Sequence, residues 1–124
     1  MRISLVGIAA SLLIALALAV GPASAAAPYT SKVTLSEHLP NWHGEVLSSK
    51  FGGVRSCERK RLVKVYMRRD GRDLLIGTDL SNRSGRWAVP DKPTKGIYYA
   101  KLIERRPGDK PACLGDLGGN VVIG

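Results

Sequence analysis

The sequence predicts an all-β domain, about seven short strands folded as a two-sheet sandwich, behind an N-terminal signal helix. Three observations predict this. An apolar segment at the start ends in small residues. Stretches of alternating polar and apolar side chains follow, spaced roughly 8–14 residues apart and separated by glycine and proline turns. No segment after the start has helical periodicity.

Arg2 supplies a short positive region, and residues 3–20 are apolar or small except Ser4 and Ser11. Gly21 and Pro22 end the helix, because proline lacks the amide N–H and clashes with the preceding turn. Ala23-Ser24-Ala25 then forms a small-x-small cleavage pattern. The cut falls after Ala25, with Ala26 and Ala27 as alternatives. An uncleaved anchor is the competing reading, since the run approaches the ~20 residues that span a bilayer. The alanine content and the small-residue exit favour cleavage. The expected organisation is a signal peptide at 1–25, a flexible mature N-terminus at 26–31 and the β-sandwich at 32–124. No other apolar run is long enough to span a membrane, and the expected location is outside the cell.

Cleavage leaves 99 of the 124 residues and lowers the net charge from +9 to +8, because Arg2 is lost. That length supports one domain with a modest core. Cys57 and Cys113 are the two cysteines. In an oxidising compartment an even pair is expected as one disulfide. Closing so long a loop is worth ~4 kcal/mol in the chain-entropy model.

The strands follow in order. Lys32-Val33-Thr34-Leu35 alternates, and Trp42-His43-Gly44-Glu45-Val46-Leu47 carries aromatic and β-branched residues. In Leu62-Val63-Lys64-Val65-Tyr66-Met67-Arg68, Val63, Val65 and Met67 share one face, and Lys64, Tyr66 and Arg68 share the other. Residues 74–78, 85–89, 97–103 and 120–123 complete the set. Asp70-Gly71 is a hairpin dipeptide, and 81–85 is a polar turn ending in glycine. Prolines make 90–96 and 106–111 loops. Trp87 is expected in the core; Trp42 stands near a strand start beside Pro40 and Asn41. Tyr98 reads either as a corner tyrosine tying down the preceding loop or as a core aromatic with a wet tip.

In sequence order these pieces form a pattern: Gly44-Glu45-Val46, Cys57, Val63-Lys64-Val65-Tyr66, Asp70-Gly71, Gly77-Thr78, Gly85-Arg86-Trp87, Gly96-Ile97-Tyr98-Tyr99-Ala100-Lys101 and Cys113. The pattern resembles the transthyretin-like (prealbumin-like, carboxypeptidase regulatory domain-like) sandwiches. It is especially similar to small secreted or surface domains of that type in high-GC Gram-positive bacteria. The similarity covers residues 33–123. It implies a seven-stranded Greek-key sandwich, transthyretin-like or immunoglobulin-like, with a non-catalytic role and a disulfide at the two cysteines. It transfers no ligand residue.

Catalytic and metal chemistry find little footing. Gly115-Asp116-Leu117-Gly118-Gly119 has the outline of the nucleophile motif of trypsin-like proteases, but Leu117 stands where that motif needs serine. The segment reads as a loop feeding the last strand. His38 and His43 with the two cysteines do not have zinc-finger spacing, and oxidised cysteines offer no thiolate. No cofactor, metal or enzymatic activity is expected.

Charge is the remaining signal. Arg55, Arg59, Lys60, Arg61, Lys64, Arg68, Arg69 and Arg72 fall between positions 55 and 72. Arg59, Arg61, Lys64, Tyr66 and Arg68 are the expected anion-binding stripe on one sheet, with Lys101 as a further outward charge. The partners this implies are an anionic wall polymer, a polysaccharide or a protein; a recognition helix for sequence-specific nucleic acid is missing. The bland reading is a solvated face that keeps the protein soluble. The leading expectation is a secreted, non-enzymatic structural or binding module. The alternative is a secreted inhibitor or effector that holds a protein partner through loops 90–96 and 105–112.

Overall fold

The computed structural model of the protein describes residues 27–38, 41–106, 108 and 110–124. The expected signal segment lies outside the described residues, as does Ala26. The described chain is all-β, with two short 3₁₀ turns at Ser49–Phe51 and Arg55–Cys57. The strands are β1 (Lys32–Val33), β2 (Ser36–His38), β3 (Asn41–Leu47), β4 (Leu62–Met67), β5 (Leu74–Leu80), β6 (Arg86–Pro90), β7 (Gly96–Leu102), β8 (Asp116–Leu117) and β9 (Val121–Ile123).

They form two antiparallel sheets. In the first, β1 and β2 pair with β3, which also pairs with β6. In the second, the order is β5-β4-β7, and β7 then pairs with both β8 and β9. The expected strand at 32–35 is broken. The Thr34 hydroxyl accepts the Glu45 N–H at 2.8 Å, so a side chain replaces a rung of the ladder, and pairing resumes at Ser36. The loop expected at 115–119 contains β8, a two-residue strand too short to show alternation. The β4–β5 hairpin turns at Gly71, whose φ of 86° suits glycine.

Period two sorts the side chains. Val63 and Val65 on β4, and Tyr98, Ala100 and Leu102 on β7, face Val33, Trp42, Val46, Trp87 and Val89 of the other sheet. Burying a Val- or Leu-sized side chain contributes about 1.5–3 kcal/mol, so these positions hold the sheets together. Gly44, paired with Trp87, makes room for it: a Cβ there would collide with the Thr34 carbonyl and stand 2.8 Å from Trp87 Cζ2. Trp42 is fully buried, so it belongs to the core. Its Nε1 donates to Asp91 Oδ2 at 3.1 Å, and its ring lies 4.5 Å from that of Tyr98. Tyr98 is both core aromatic and corner tyrosine: its hydroxyl donates to the Thr94 carbonyl at 2.8 Å and accepts the Thr94 N–H at 3.0 Å.

Cys57 and Cys113 form a disulfide across 56 residues, and both are buried. Beside it lies Arg61, which corrects the expected stripe. Arg61 is fully buried, not exposed. Counted from Val63 and Val65, position 61 falls on the inward register of the strand. Its Nη1 donates to Cys57 O at 2.8 Å and Ser31 Oγ at 3.0 Å. Its Nη2 donates to Leu114 O at 2.8 Å, Ile103 O at 2.9 Å and Cys113 O at 3.3 Å. Burial pushes its pKa down to about 10, helped by the nearby Arg105 charge and opposed by Glu104, and the group stays charged at neutral pH.

Within the terminus expected at 26–31, residues 29–31 are bonded to the sandwich. Tyr29 bridges to Cys113, with Tyr29 N donating to Ala112 O at 2.8 Å and Leu114 N donating to Tyr29 O at 2.9 Å. The Ser48 hydroxyl donates to Thr30 O at 2.6 Å, and Ser31 is buried against Arg61. The partners of these groups come from far along the chain, so local composition does not reveal them.

Arg61→Leu should therefore leave five acceptors, three buried and two half-buried, without their donor. A hydrogen bond to a charged group contributes ~1.5–3 kcal/mol, so the total loss should be ~3 kcal/mol or more. Urea unfolding with the disulfide intact reads this directly, and Arg61→Lys should recover little, because an ammonium has three donors on a point charge. A loss below ~1 kcal/mol would contradict the structural role assigned to Arg61.

Candidate functional site

The outer face of the β5-β4-β7 sheet carries the site. The alternation that buries Val63 and Val65 turns Lys64 and Tyr66 outward, with Arg68 just beyond the strand end. Register then decides their neighbours. Tyr66 pairs with Tyr99 of β7, and Lys64 pairs with Lys101. Leu117 of β8 stands beside Lys101, and Val122 of β9 beside Ile97. On the other side a register shift at Val65/Tyr66 sets Leu75 next to Tyr66.

The aromatic part is layered. The Tyr66 and Tyr99 rings stack at 5.3 Å with 17° between planes. Arg68 Cζ lies 4.6 Å from the Tyr99 ring centre, within cation–π range. Arg68 Nε and Nη2 both donate to Asn120 Oδ1 at 3.2 Å, which holds the guanidinium over the ring. The Tyr99 hydroxyl donates to Asp73 Oδ2 at 2.5 Å, and Asp73 Oδ1 accepts the Arg69 N–H at 3.2 Å. The bond to Asp73, with burial adding to it, holds the Tyr99 pKa up to about 12. The same bond, seconded by the Arg69 amide, holds the Asp73 carboxyl below its ordinary value.

The charges on this sheet are sorted. Asp79 and Asp116 have the inward register, paired with Val63 and Leu102. Their carboxylates accept backbone N–H groups, Ala88 N for Asp79 and Val33 N for Asp116. The cations stay outside. Lys64 and Lys101 stand directly opposite one another, and among the described residues neither has an ion-pair partner. Around them Leu75, Leu80, Ile97, Leu117 and Val122 are exposed, Val122 at 69%. The face is therefore a stacked tyrosine platform with three cations and an aliphatic rim.

Of the five residues expected in the stripe, the structure brings together Lys64, Tyr66 and Arg68. Arg61 is buried, and exposed Arg59 precedes the start of β4, at the end opposite Arg68. The strand begins only at Leu62, and Lys60 has a φ of +53°, so alternation cannot be carried back through 59. Tyr99 and Asp73 were not singled out by sequence. The outward parity of Tyr99 relative to buried Tyr98 was the available signal; its pairing with Tyr66 needed the register.

Comparison of the chain with protein-family models, with curated proteins and with solved structures finds no match.

Asp73→Asn should return the Tyr99 pKa from about 12 toward the ordinary tyrosine value. An ultraviolet titration of the folded protein checks this: the late-ionising tyrosine should disappear. The raised pKa means that the bond stabilises the fold fully below the ordinary tyrosine pKa and loses this as pH climbs through about 12.

Proposed function

We propose that the protein is an exported, non-enzymatic β-sandwich module that binds an anionic wall polymer or polysaccharide on the outer face of β5-β4-β7. The observation that carries this reading is the Lys64–Lys101 cross-strand pair, without an ion-pair partner among the described residues, beside the stacked tyrosines. Like charges directly across a ladder destabilise a sheet. A polyanion laid over the pair relieves that repulsion and is drawn in by the basic field. The tyrosine platform presents a flat ring face to a sugar ring, and the aliphatic rim adds area that loses water on contact.

The finer fold assignment belongs to the same proposal. Taking β1 with β2, and β8 with β9, as interrupted strands leaves seven, ordered β1/β2-β3-β6 and β5-β4-β7-β8/β9. The β3–β6 pairing brackets the β4–β5 hairpin, as in a Greek key. Tyr98 at the β6–β7 corner supports a sandwich of the transthyretin-like or immunoglobulin-like kind. Export rests on the signal-like segment together with the buried disulfide.

A second reading keeps the protein as an inhibitor or effector of a protein partner. The loop at 90–96 favours it, because Asp91 and Thr94 are pinned by Trp42 and Tyr98 and the loop is ordered before any contact.

The triple variant Lys64→Ser, Arg68→Ser, Lys101→Ser should elute from a heparin-like or wall-polymer matrix at clearly lower salt than the parent, with unchanged circular dichroism. Elution at the parent's salt would end the polymer reading. Recovery of one stoichiometric protein from the producing culture would support the second.

A further inference from the structure

At the opposite end of β4 from Arg68, a cavity of about 460 Å³ opens beside the disulfide. Four cations line it, Arg59, Lys60, Arg83 and Arg105, together with polar groups that include Ser56 and Asn82; among the described residues no carboxylate lines it. Its size falls within the ~300–1,000 Å³ of small-molecule sites.

The base of the cavity is built. Arg105 Nη1 donates to Arg59 O at 2.9 Å and Nη2 to Ser56 O at 2.6 Å, so its cation is fastened to the loop that carries Arg59 and Lys60. These acceptors are neutral. The neighbouring Glu104 turns instead to Arg106, at 2.7 Å. Arg61, buried nearby, is also held by neutral acceptors alone, and the Arg105 charge opposes its own. Two guanidinium charges are thus set close together, and among the described residues no carboxylate is bonded to either. A buried or half-buried charge is costly without a counter-charge.

The loop itself is strained toward this arrangement. Lys60 is the only non-glycine residue with positive φ among the described residues, at +53°, and its N–H is held by Ser81 O at 2.8 Å. Such backbone costs ~1–3 kcal/mol and persists where its surroundings impose it, often at ligand sites. It places Lys60 in the lining with Arg59 and Arg83, whose side chains make no hydrogen bond or ion pair among the described residues. Three free cationic arms therefore surround a fixed fourth.

We infer that this cavity is a binding site for a phosphate monoester, with Arg59, Lys60 and Arg83 gripping the phosphate over the fixed charge of Arg105. A dianion matches four cations that have no ion-pair partner among the described residues better than a single carboxylate does, and guanidinium forks suit its oxygens. The room beyond the phosphate admits a small carrier such as a sugar. This site is separate from the tyrosine face and does not depend on it.

The test uses the disulfide-intact protein, melted in sodium phosphate, in a hexose monophosphate and in sodium chloride at matched ionic strength. Both phosphates should raise the melting temperature saturably, and chloride should not. Arg59→Ser with Arg83→Ser should weaken the phosphate effect at least tenfold, and Arg59→Lys with Arg83→Lys should keep most of it. Lys64→Ser with Lys101→Ser should leave it intact, which separates this site from the polymer face. Tighter binding of the hexose monophosphate assigns the site to a phosphosugar; equal affinity assigns it to phosphate itself. An equal rise in chloride, or a saturable rise that survives in the double serine variant, overturns the inference. If the double variant does not fold, Arg83→Ser alone gives the same reading, because its side chain holds nothing in place.

Discussion

The Arg61 guanidinium is the hub on which the disulfide end of the molecule is assembled. Its two terminal nitrogens bond to the carbonyls of both half-cystines, to Ile103 and Leu114, and to the Ser31 hydroxyl. Four segments far apart in the chain, around positions 31, 57–61, 103 and 113–114, thereby meet at one planar group. The disulfide alone links only two of them. Arginine suits the place because its rigid fork offers several donors at once. The position is also costly, since the charge is buried with no carboxylate bonded to it among the described residues. Hydrogen bonds to charge are strong enough to offset that cost, and the neighbouring loops are held in consequence.

The same loops carry a second buried charge of opposite sign. Glu58 is buried, which by itself raises its pKa, yet the Ser48 and Ser49 amides and the Ser49 hydroxyl donate to Oε2 and bring the pKa below its ordinary value. Glu58 thus fastens the start of the 3₁₀ segment while Arg61 fastens its end. Each charge is held by neutral backbone and hydroxyl groups rather than by the other. Neither neutralises the cations at the surface, and the domain keeps its basic character at both ends of β4.

The two sheets divide the labour. The first turns both tryptophans inward and is closed over Tyr98, whose hydroxyl sets the corner before β7. The second buries its valines against that core, so its outer side is released from packing. On that side cross-strand register decides which side chains meet, and the Tyr99–Asp73 and Arg68–Asn120 bonds then fix them. Pairing Tyr66 with Tyr99 and Lys64 with Lys101 turns four unremarkable surface residues into a platform and a charged pair. Exposed aliphatic residues there, Leu75, Leu80 and Leu117 among them, bring no benefit to the isolated fold.

Alternation in the chain determined most of the strands, because period two is a local property and Val63-Lys64-Val65-Tyr66 cannot satisfy it any other way. Turn residues such as Asp70-Gly71 likewise act within a few bonds, and two cysteines in one chain leave a single intramolecular pairing. Three matters needed the tertiary structure. Whether Arg61 is surface or core turned on one count of register and on five acceptors brought from elsewhere. The ordering of Tyr29 to Ser31 came from contacts with Ala112, Leu114, Ser48 and Arg61. The partners of Tyr66 and Lys64 were set by how β7 slides along β4. In each case the deciding hydrogen bonds or contacts join residues distant in sequence, and no local pattern encodes which distant groups will meet.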